Sequence, residues 1–161
     1  MTTPALKLAV IPVTPFVQNC SLLWCTETLE AAVIDPGGDV ERIAAAITKA
    51  GVQLQKVLLT HGHLDHAGGA AEMAQKYGVP IEGPHRADAF LINAIPQQSL
   101  MFGCAPSPAC TPDRWLDDGD QVSVGRLTLD IRHCPGHTPG HIAFFHAPSR
   151  LAIVGDVLFA G

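Results

Sequence analysis

The residues best suited to chemistry lie in one short segment, Thr60-His61-Gly62-His63-Leu64-Asp65-His66. The segment follows an apolar run that reads as a β-strand, so a turn leaving that strand can direct His61 and His63 toward one point. The chain then bends into a helix, which brings Asp65 and His66 to a neighbouring point. Imidazole nitrogens and carboxylates are ligands that Zn²⁺ and similar divalent metals accept. A solvated turn accounts for one such residue but not for four, so the sequence predicts a metal site.

Two later segments carry further candidate ligands. In Cys134-Pro135-Gly136-His137-Thr138-Pro139-Gly140-His141, the Pro and Gly residues on both sides of His137 predict a tight turn that holds one imidazole outward. Asp156 follows another apolar run, and its carboxylate can bridge two metals, which an imidazole cannot do. We interpret His141 as a residue that orients a ligand. The remaining candidates are assigned to the surface or to packing, namely His85, His133 and His146.

The elements that must position these residues alternate strand and helix in the first half of the chain, which favours a layered α/β architecture. Asp39 is the predicted N-cap of the first helix, which Gly51 ends. A short helix is expected around residues 87–95, within a looser stretch whose residues 104–112 read as a loop. The predicted strands are 6–11, 21–25, 31–35, 56–60, 121–124, 127–131, 142–145 and 151–154, and the two longer helices are 39–50 and 69–77.

Composition excludes several classes of protein. The 161 residues are 47% hydrophobic and 16% charged, which is not the balance of a disordered chain. The net charge of −5 and the lack of a basic cluster argue against nucleic acid as a partner. No apolar stretch approaches the ~20 residues that span a bilayer, and no secretory leader is evident. We therefore expect a cytoplasmic protein that binds neither nucleic acid nor membrane. Without a C-x-x-C pair, its five cysteines are expected to be free thiols.

The length predicts a single domain over residues 1–161. The chain stops on the bare apolar sequence Val157-Leu158-Phe159-Ala160-Gly161, directly after an apolar strand. We interpret this as a domain truncated at its C-terminus.

Taken together, T-H-x-H-x-D-H, C-P-G-H-T-P-G-H and the later G-D resemble the metallo-β-lactamase superfamily. Residues 81–85, 116–120 and 155–159 are most similar to small glyoxalase II-type hydrolases. The resemblance implies an α/β fold, the four-layer αββα sandwich, with metals at one edge between two sheets and the C-terminal part missing. It also implies the ligands: His61, His63 and His137 for the first metal, Asp65 and His66 for the second, and Asp156 for both. The family's last histidine ligand falls beyond Gly161.

The activity implied by the resemblance is hydrolysis of a thioester such as S-lactoylglutathione, a hydroxyacylglutathione, by a metal-bound hydroxide that Asp65 orients as the catalytic residue. Two divalent metals per complete protein are expected, with Zn²⁺ favoured and Fe or Mn accepted by the same ligands. A lactone or another ester remains an alternative substrate. A second alternative is a persulfide dioxygenase with one iron bound by His61, His137 and Asp156, and a third is a binding module without activity. His63 argues against the di-iron oxygen-reducing relatives, which usually carry Glu there.

Overall fold

The first β-sheet carries the histidine-rich segment at one end. The computed structural model describes residues 5–159. The five strands of this sheet lie in the order β1-β2-β3-β4-β5, where β1, β2 and β3 pair antiparallel, and β3, β4 and β5 pair parallel. The strand bounds are β1 Leu6–Val13, β2 Gln18–Cys25, β3 Glu30–Ile34, β4 Gln53–Leu58 and β5 Ile81–Glu82.

The second sheet has four antiparallel strands in the order β6-β7-β8-β9. The predicted hairpin at Gly125-Arg126 joins β6 to β7, and Val124 pairs with Leu127 beside the turn. The loop between β7 and β8 is the one that contains His137. The strand bounds are β6 Gln121–Val124, β7 Leu127–His133, β8 Ile142–His146 and β9 Leu151–Ile153.

Within residues 5–159, five α-helices lie between β3 and β6 in the sequence. In the longest helix, α1, Val40, Ile43 and Ile47 form a buried stripe at helical spacing. Gly51 ends this helix at a φ of 66°, a left-handed conformation that glycine adopts without a side-chain clash. No helix between residues 5 and 159 combines the length and the apolar character needed to cross a membrane. The helix bounds are α1 Val40–Ala50, α2 Leu64–Ala67, α3 Ala70–Tyr77, α4 Ala89–Asn93 and α5 Ile95–Met101.

Two apolar cores hold these layers together. Because side chains alternate across a strand, Leu22 packs in the core under the helices, and its neighbour Leu23 packs in the core between the two sheets. All five helices contribute to the first core, for example through Ile43 and Met73. Within the described part of the chain, no helix contributes to the core between the sheets. The predicted layered α/β architecture is therefore confirmed. The helices pack on one face of the first sheet, and the second sheet packs on its other face.

The structure corrects several local predictions. Asp39 is the N-cap residue of α1, as predicted, but its side chain makes no capping hydrogen bond, because the carboxylate accepts from the Thr14 amide instead, at 2.8 Å. The helix predicted at 87–95 is a 3-10 turn, Arg86–Asp88, followed by α4. The helix α5 was not predicted, because its segment contains Pro96. The structure tolerates this proline because it lies in the first turn of the helix, where the absent N–H costs no hydrogen bond. β4 begins at Gln53 and ends at Leu58, earlier than expected.

Candidate metal centre

Three loops converge at one edge of the two stacked sheets. The histidine-rich segment follows β4, the second histidine loop joins β7 to β8, and Asp156 follows β9. The amide of Ile142 donates to the carbonyl of Thr60, at 2.9 Å, which ties the first loop to β8. The second loop is closed by the amide of Cys134, which donates to His141 at 2.8 Å. The topology therefore brings side chains together that are up to 95 residues apart in the sequence, from His61 to Asp156.

The first group consists of His61, His63, His137 and Asp156, each offering a ligand atom within 4.8 Å of the others. His63 Nδ1 lies 3.0 Å from His137 Nε2. Asp156 Oδ2 lies 3.0 Å from His137 Nε2 and 3.6 Å from His61 Nε2. Three imidazole nitrogens and one carboxylate oxygen thus face one small volume, as a divalent metal requires.

The second group consists of Asp65, His66 and Asp156. His66 Nε2 lies 3.2 Å from Asp156 Oδ1 and 3.5 Å from Asp65 Oδ2. Asp156 therefore presents one oxygen to each group, since its Oδ2 faces His61 and His137. The two groups of candidate ligands therefore share one carboxylate.

The most buried ring of the first group tests whether these residues fit a cation. His61 is 0% exposed, and its Nδ1 contacts the hydroxyl of Thr60 at 2.9 Å. Its Nε2 is buried and has no hydrogen-bond partner. A buried polar atom without a partner is costly, and here the atom faces the other three ligands. The residues present fit a bound metal, which would take up this lone pair.

Electrostatics support the same conclusion for the first group. Burial and the surrounding imidazoles hold the pKa of His61 far below its usual range. Burial and the adjacent His137 likewise lower the pKa of His63. Both rings are therefore neutral near pH 7, which leaves a nitrogen lone pair free for a metal.

In the second group, the imidazole of His66 is protonated in the absence of metal. Burial lowers the pKa of His66, but the carboxylates of Asp35 and Asp156 outweigh burial and raise it to about 10. For Asp156, burial raises the pKa, and the hydrogen bond from His66 outweighs this and lowers it. A metal that binds here must displace the His66 proton, so binding is coupled to proton release.

The family of the chain follows from comparison with known proteins. The model of the family described as "Metallo-beta-lactamase superfamily" matches residues 13–161. The chain belongs to this superfamily.

A similar relative within the superfamily is the hydroxyacylglutathione hydrolase GloC of Haemophilus influenzae. It is 45% identical over 157 residues, which cover 97% of this chain and 74% of the relative. The chain is therefore a metallo-hydrolase of the superfamily, and the predicted resemblance is confirmed.

Solved structures agree with the fold. The crystal structure of BLEG-1 B3 metallo-beta-lactamase superimposes with a TM-score of 0.85 at 27% identity, over 96% of this chain and 74% of that one. The crystal structure of TTHA1623 in a di-iron-bound form also superimposes with a TM-score of 0.85, at 29% identity, over 95% of this chain and 74% of that one. The predicted metallo-β-lactamase fold is therefore confirmed.

Asp35 is a supporting residue of this metallo-hydrolase that sequence reasoning missed. It directly follows β3 and is buried. Its Oδ1 accepts from the Thr60 amide at 2.8 Å, and its Oδ2 accepts from the Thr60 hydroxyl at 2.6 Å. The same Oδ2 lies 2.9 Å from His66 Nδ1. Since β3 and β4 are parallel neighbours whose carboxyl ends meet at one edge, an acid at the end of β3 was the available signal.

Other supporting residues surround the ligands. His141 stacks on His61 with ring centroids 4.6 Å apart, and its Nε2 accepts from the Asp156 amide at 3.0 Å. Gln98, on the helix α5 that the sequence missed, accepts from the Leu64 amide at 2.9 Å. The remaining histidines lie outside the ligand groups: His85 and His133 stack on each other, and His146 bonds Ser149.

Gly37→Ala is expected to destabilise the metallo-hydrolase by about 1–3 kcal/mol, because a methyl group there overlaps the backbone carbonyl of Asp65. The loop that carries Asp65 must move, so metal content should fall as well. Urea unfolding and elemental analysis measure the two effects. The matched control is Gly136→Ala, since a methyl at Gly136 meets no atom within 4 Å. Equal stability of the two variants would show that the contact with Asp65 is unimportant.

Proposed function

We propose that this metallo-hydrolase cleaves thioesters of glutathione, of which S-lactoylglutathione is the representative substrate. The observation that carries the proposal is the placement of Asp156, with Oδ2 facing His137 and Oδ1 facing His66, at 3.0 Å and 3.2 Å. The similarity to a relative named hydroxyacylglutathione hydrolase supports the choice of substrate.

In this proposal, His61, His63 and His137 would hold one metal, Asp65 and His66 would hold another, and Asp156 would contact both. We favour zinc, and the same ligands accept iron or manganese. When bound, the metals supply Lewis acidity, which activates water and polarises the acyl carbonyl. The hydrogen bonds of Asp35 and His141 keep His66 and Asp156 in place for this purpose.

Asp65 is the proposed catalytic residue of this chain. Its side chain is 29% exposed and borders three adjoining clefts, so it can reach a bound substrate. In the proposed reaction, Asp65 accepts a hydrogen bond from the attacking water and orients it toward the acyl carbon. Because Asp65 Oδ2 lies 3.5 Å from His66 Nε2, a water held by Asp65 would lie next to the candidate metal ligands.

The leaving group favours a thioester over an oxygen ester or an amide. A thiol has a pKa of about 8.5, so a thiolate departs with little help from a general acid. The cleft that opens onto His63, His137 and Asp156 has a volume of about 200 Å³. Among the described residues that line it, none is a lysine, tyrosine or cysteine that could protonate a poorer leaving group.

Apolar side chains form the mouth of this cleft and offer a surface for the acyl group. Phe16 and Phe102 meet edge to face with ring centroids 6.0 Å apart, and they are 50% and 57% exposed. Both rings line the cleft together with Leu64. The exposed rings lose solvent contact when an acyl chain binds, which favours binding.

We further propose that residues 1–161 form one domain that acts in the cytoplasm on a small molecule. The five cysteines support this location, because all of them are free thiols.

The zinc-loaded protein is expected to hydrolyse S-lactoylglutathione at least about 100-fold faster than the oxygen ester of the same acyl group, because the described residues that line the cleft include no lysine, tyrosine or cysteine to protonate an alkoxide. Release of the thiol and of the alcohol measures the two rates, and elemental analysis gives the metal content. Equal rates for the two esters, or faster hydrolysis of a lactone, would contradict the proposal. One bound iron with O₂ uptake on a persulfide would favour the dioxygenase instead.

A further inference from the structure

We infer that Asp88 is a positioning residue that holds the two histidine loops at the spacing their metal requires. The inference rests on the proposed metal centre but not on the identity of the substrate. Asp88 ends the 3-10 turn that precedes α4, outside all three ligand-bearing loops. It is 0% exposed and belongs to none of the groups of candidate ligands among residues 5–159.

The carboxylate of Asp88 bonds both loops at once. Its Oδ2 accepts from the amide of Gly62 at 3.0 Å and from the hydroxyl of Thr138 at 2.8 Å. Its Oδ1 accepts from the amide of Gly140 at 2.6 Å. These donors are 26, 50 and 52 residues away from Asp88 in the sequence.

Each donor is close to a candidate ligand in the chain. Gly62 lies between His61 and His63, and Thr138 follows His137 directly. The nitrogens of His63 and His137 that face each other are only 3.0 Å apart. Because Asp88 fixes the backbone beside both rings, a change in its bonds must change this separation and hence the fit of a metal.

The packing around Asp88 leaves little room for another arrangement. A methyl group on Gly140 would lie 2.5 Å from the Asp88 amide nitrogen and 2.7 Å from its carboxyl carbon. A methyl group on Gly62 would lie 3.3 Å from the Asp88 carbonyl oxygen and 2.7 Å from Leu91. Glycine at these two positions allows both loops to approach the buried carboxylate closely.

Charge gives a second reason to regard Asp88 as specialised. Among the ion pairs of residues 5–159, none involves Asp88, so its charge is stabilised by hydrogen bonds rather than by a basic side chain. A buried carboxylate without a cationic partner is costly, and hydrophobic packing would serve stability alone at least as well. A function in spacing the loops explains why a carboxylate occupies this position.

Metal affinity is the property that separates positioning from a purely structural role. Competition between the protein and a chelator for Co²⁺, followed by the absorption of the bound metal, reports affinity without any substrate. Asp88→Asn loses at least one of the three acceptor contacts, and Thr138→Val removes one contact while it keeps the shape of the side chain and the buried carboxylate. Glu82→Gln is the control, since Glu82 is also a buried acid but pairs with Lys56 and Arg114 away from the ligands.

Outer partners of metal ligands typically contribute 10–100-fold to affinity. We expect a loss of about 10-fold or more in Co²⁺ affinity for Asp88→Asn, a smaller loss for Thr138→Val, and no change for Glu82→Gln. Wild-type affinity in both loop variants would overturn the inference, whatever their stability. If Asp88→Asn does not fold, wild-type affinity of Thr138→Val alone overturns it. Failure of the thioester assay would leave this result unaffected, so the two proposals are tested separately.

Discussion

Asp156→Ala is expected to lower kcat/KM for the thioester by more than about 100-fold, since loss even of an outer partner of a metal ligand costs 10–100-fold. The substitution removes the carboxylate that belongs to both the His61, His63, His137 group and the Asp65, His66 group of candidate ligands. It also leaves His66 without the oxygen at 3.2 Å and His137 without the oxygen at 3.0 Å. Steady-state kinetics and elemental analysis together measure the effect, and metal content should fall at both sites.

The control for this variant is Asp118→Ala, because Asp118 is exposed and bonds the His133 amide outside the ligand groups. Its activity and metal content should match those of the wild type. If Asp156→Ala retained activity within about 10-fold and kept its metal, the shared-carboxylate arrangement would be wrong.

Asp35→Ala is expected to destabilise the metal-free protein by about 3–5 kcal/mol, the cost of breaking a buried ion pair by removing one partner. Asp35 faces His66 at 2.9 Å, and both side chains are 3% exposed. The carboxylate helps raise the pKa of His66 to about 10, so at pH 7 the substitution leaves a buried charge without this partner. Urea unfolding of the chelator-treated protein measures the loss.

Two comparisons sharpen this test. Glu41→Ala removes an exposed ion pair with Lys76, and its free energy of unfolding should stay close to that of the wild type. The destabilisation by Asp35→Ala should also diminish progressively as the pH rises from about 6.5 to about 10, the interval over which the raised pKa of His66 stabilises the fold less and less. If Asp35→Ala lowered the free energy of unfolding by less than about 1 kcal/mol at pH 7, the ion pair between Asp35 and His66 would not be what holds the histidine-rich segment in place.

The sequence revealed the candidate ligands because they fall in two compact motifs and one strand end. Spacing within a motif is local, so the order of His61, His63, Asp65 and His66 along the chain is enough to assign them to a common site. Their residue types also specify the chemistry, since clustered imidazoles and carboxylates at strand ends bind metals. The convergence of the second loop was inferred from family resemblance rather than from the spacing itself.

The supporting residues could not be found in the same way. Asp88 acts through donors that lie 26–52 residues away, and a lone aspartate in a loose stretch carries no local signal. Asp35 accepts from Thr60 across 25 residues, and only the parallel pairing of β3 with β4 brings the two together. Contacts of this kind depend on the tertiary fold, so sequence patterns with short periods do not show them.

Some predictions of local structure were wrong for related reasons. Asp39 has the residue type of an N-cap, yet its carboxylate bonds Thr14 instead, because tertiary structure offers another donor. The helix α5 was hidden by Pro96, which is compatible with a first helical turn. That helix matters for the site, since its Gln98 supports the loop between His61 and Asp65.

Anomalous X-ray diffraction from crystals grown with Zn²⁺, recorded above and below the zinc absorption edge, tests most directly whether the distant loops form one metal centre. We expect one anomalous peak in contact with His61, His63 and His137 and a second in contact with Asp65 and His66, with Asp156 touching both. Peaks elsewhere, or none between the two histidine loops, would contradict the proposed centre.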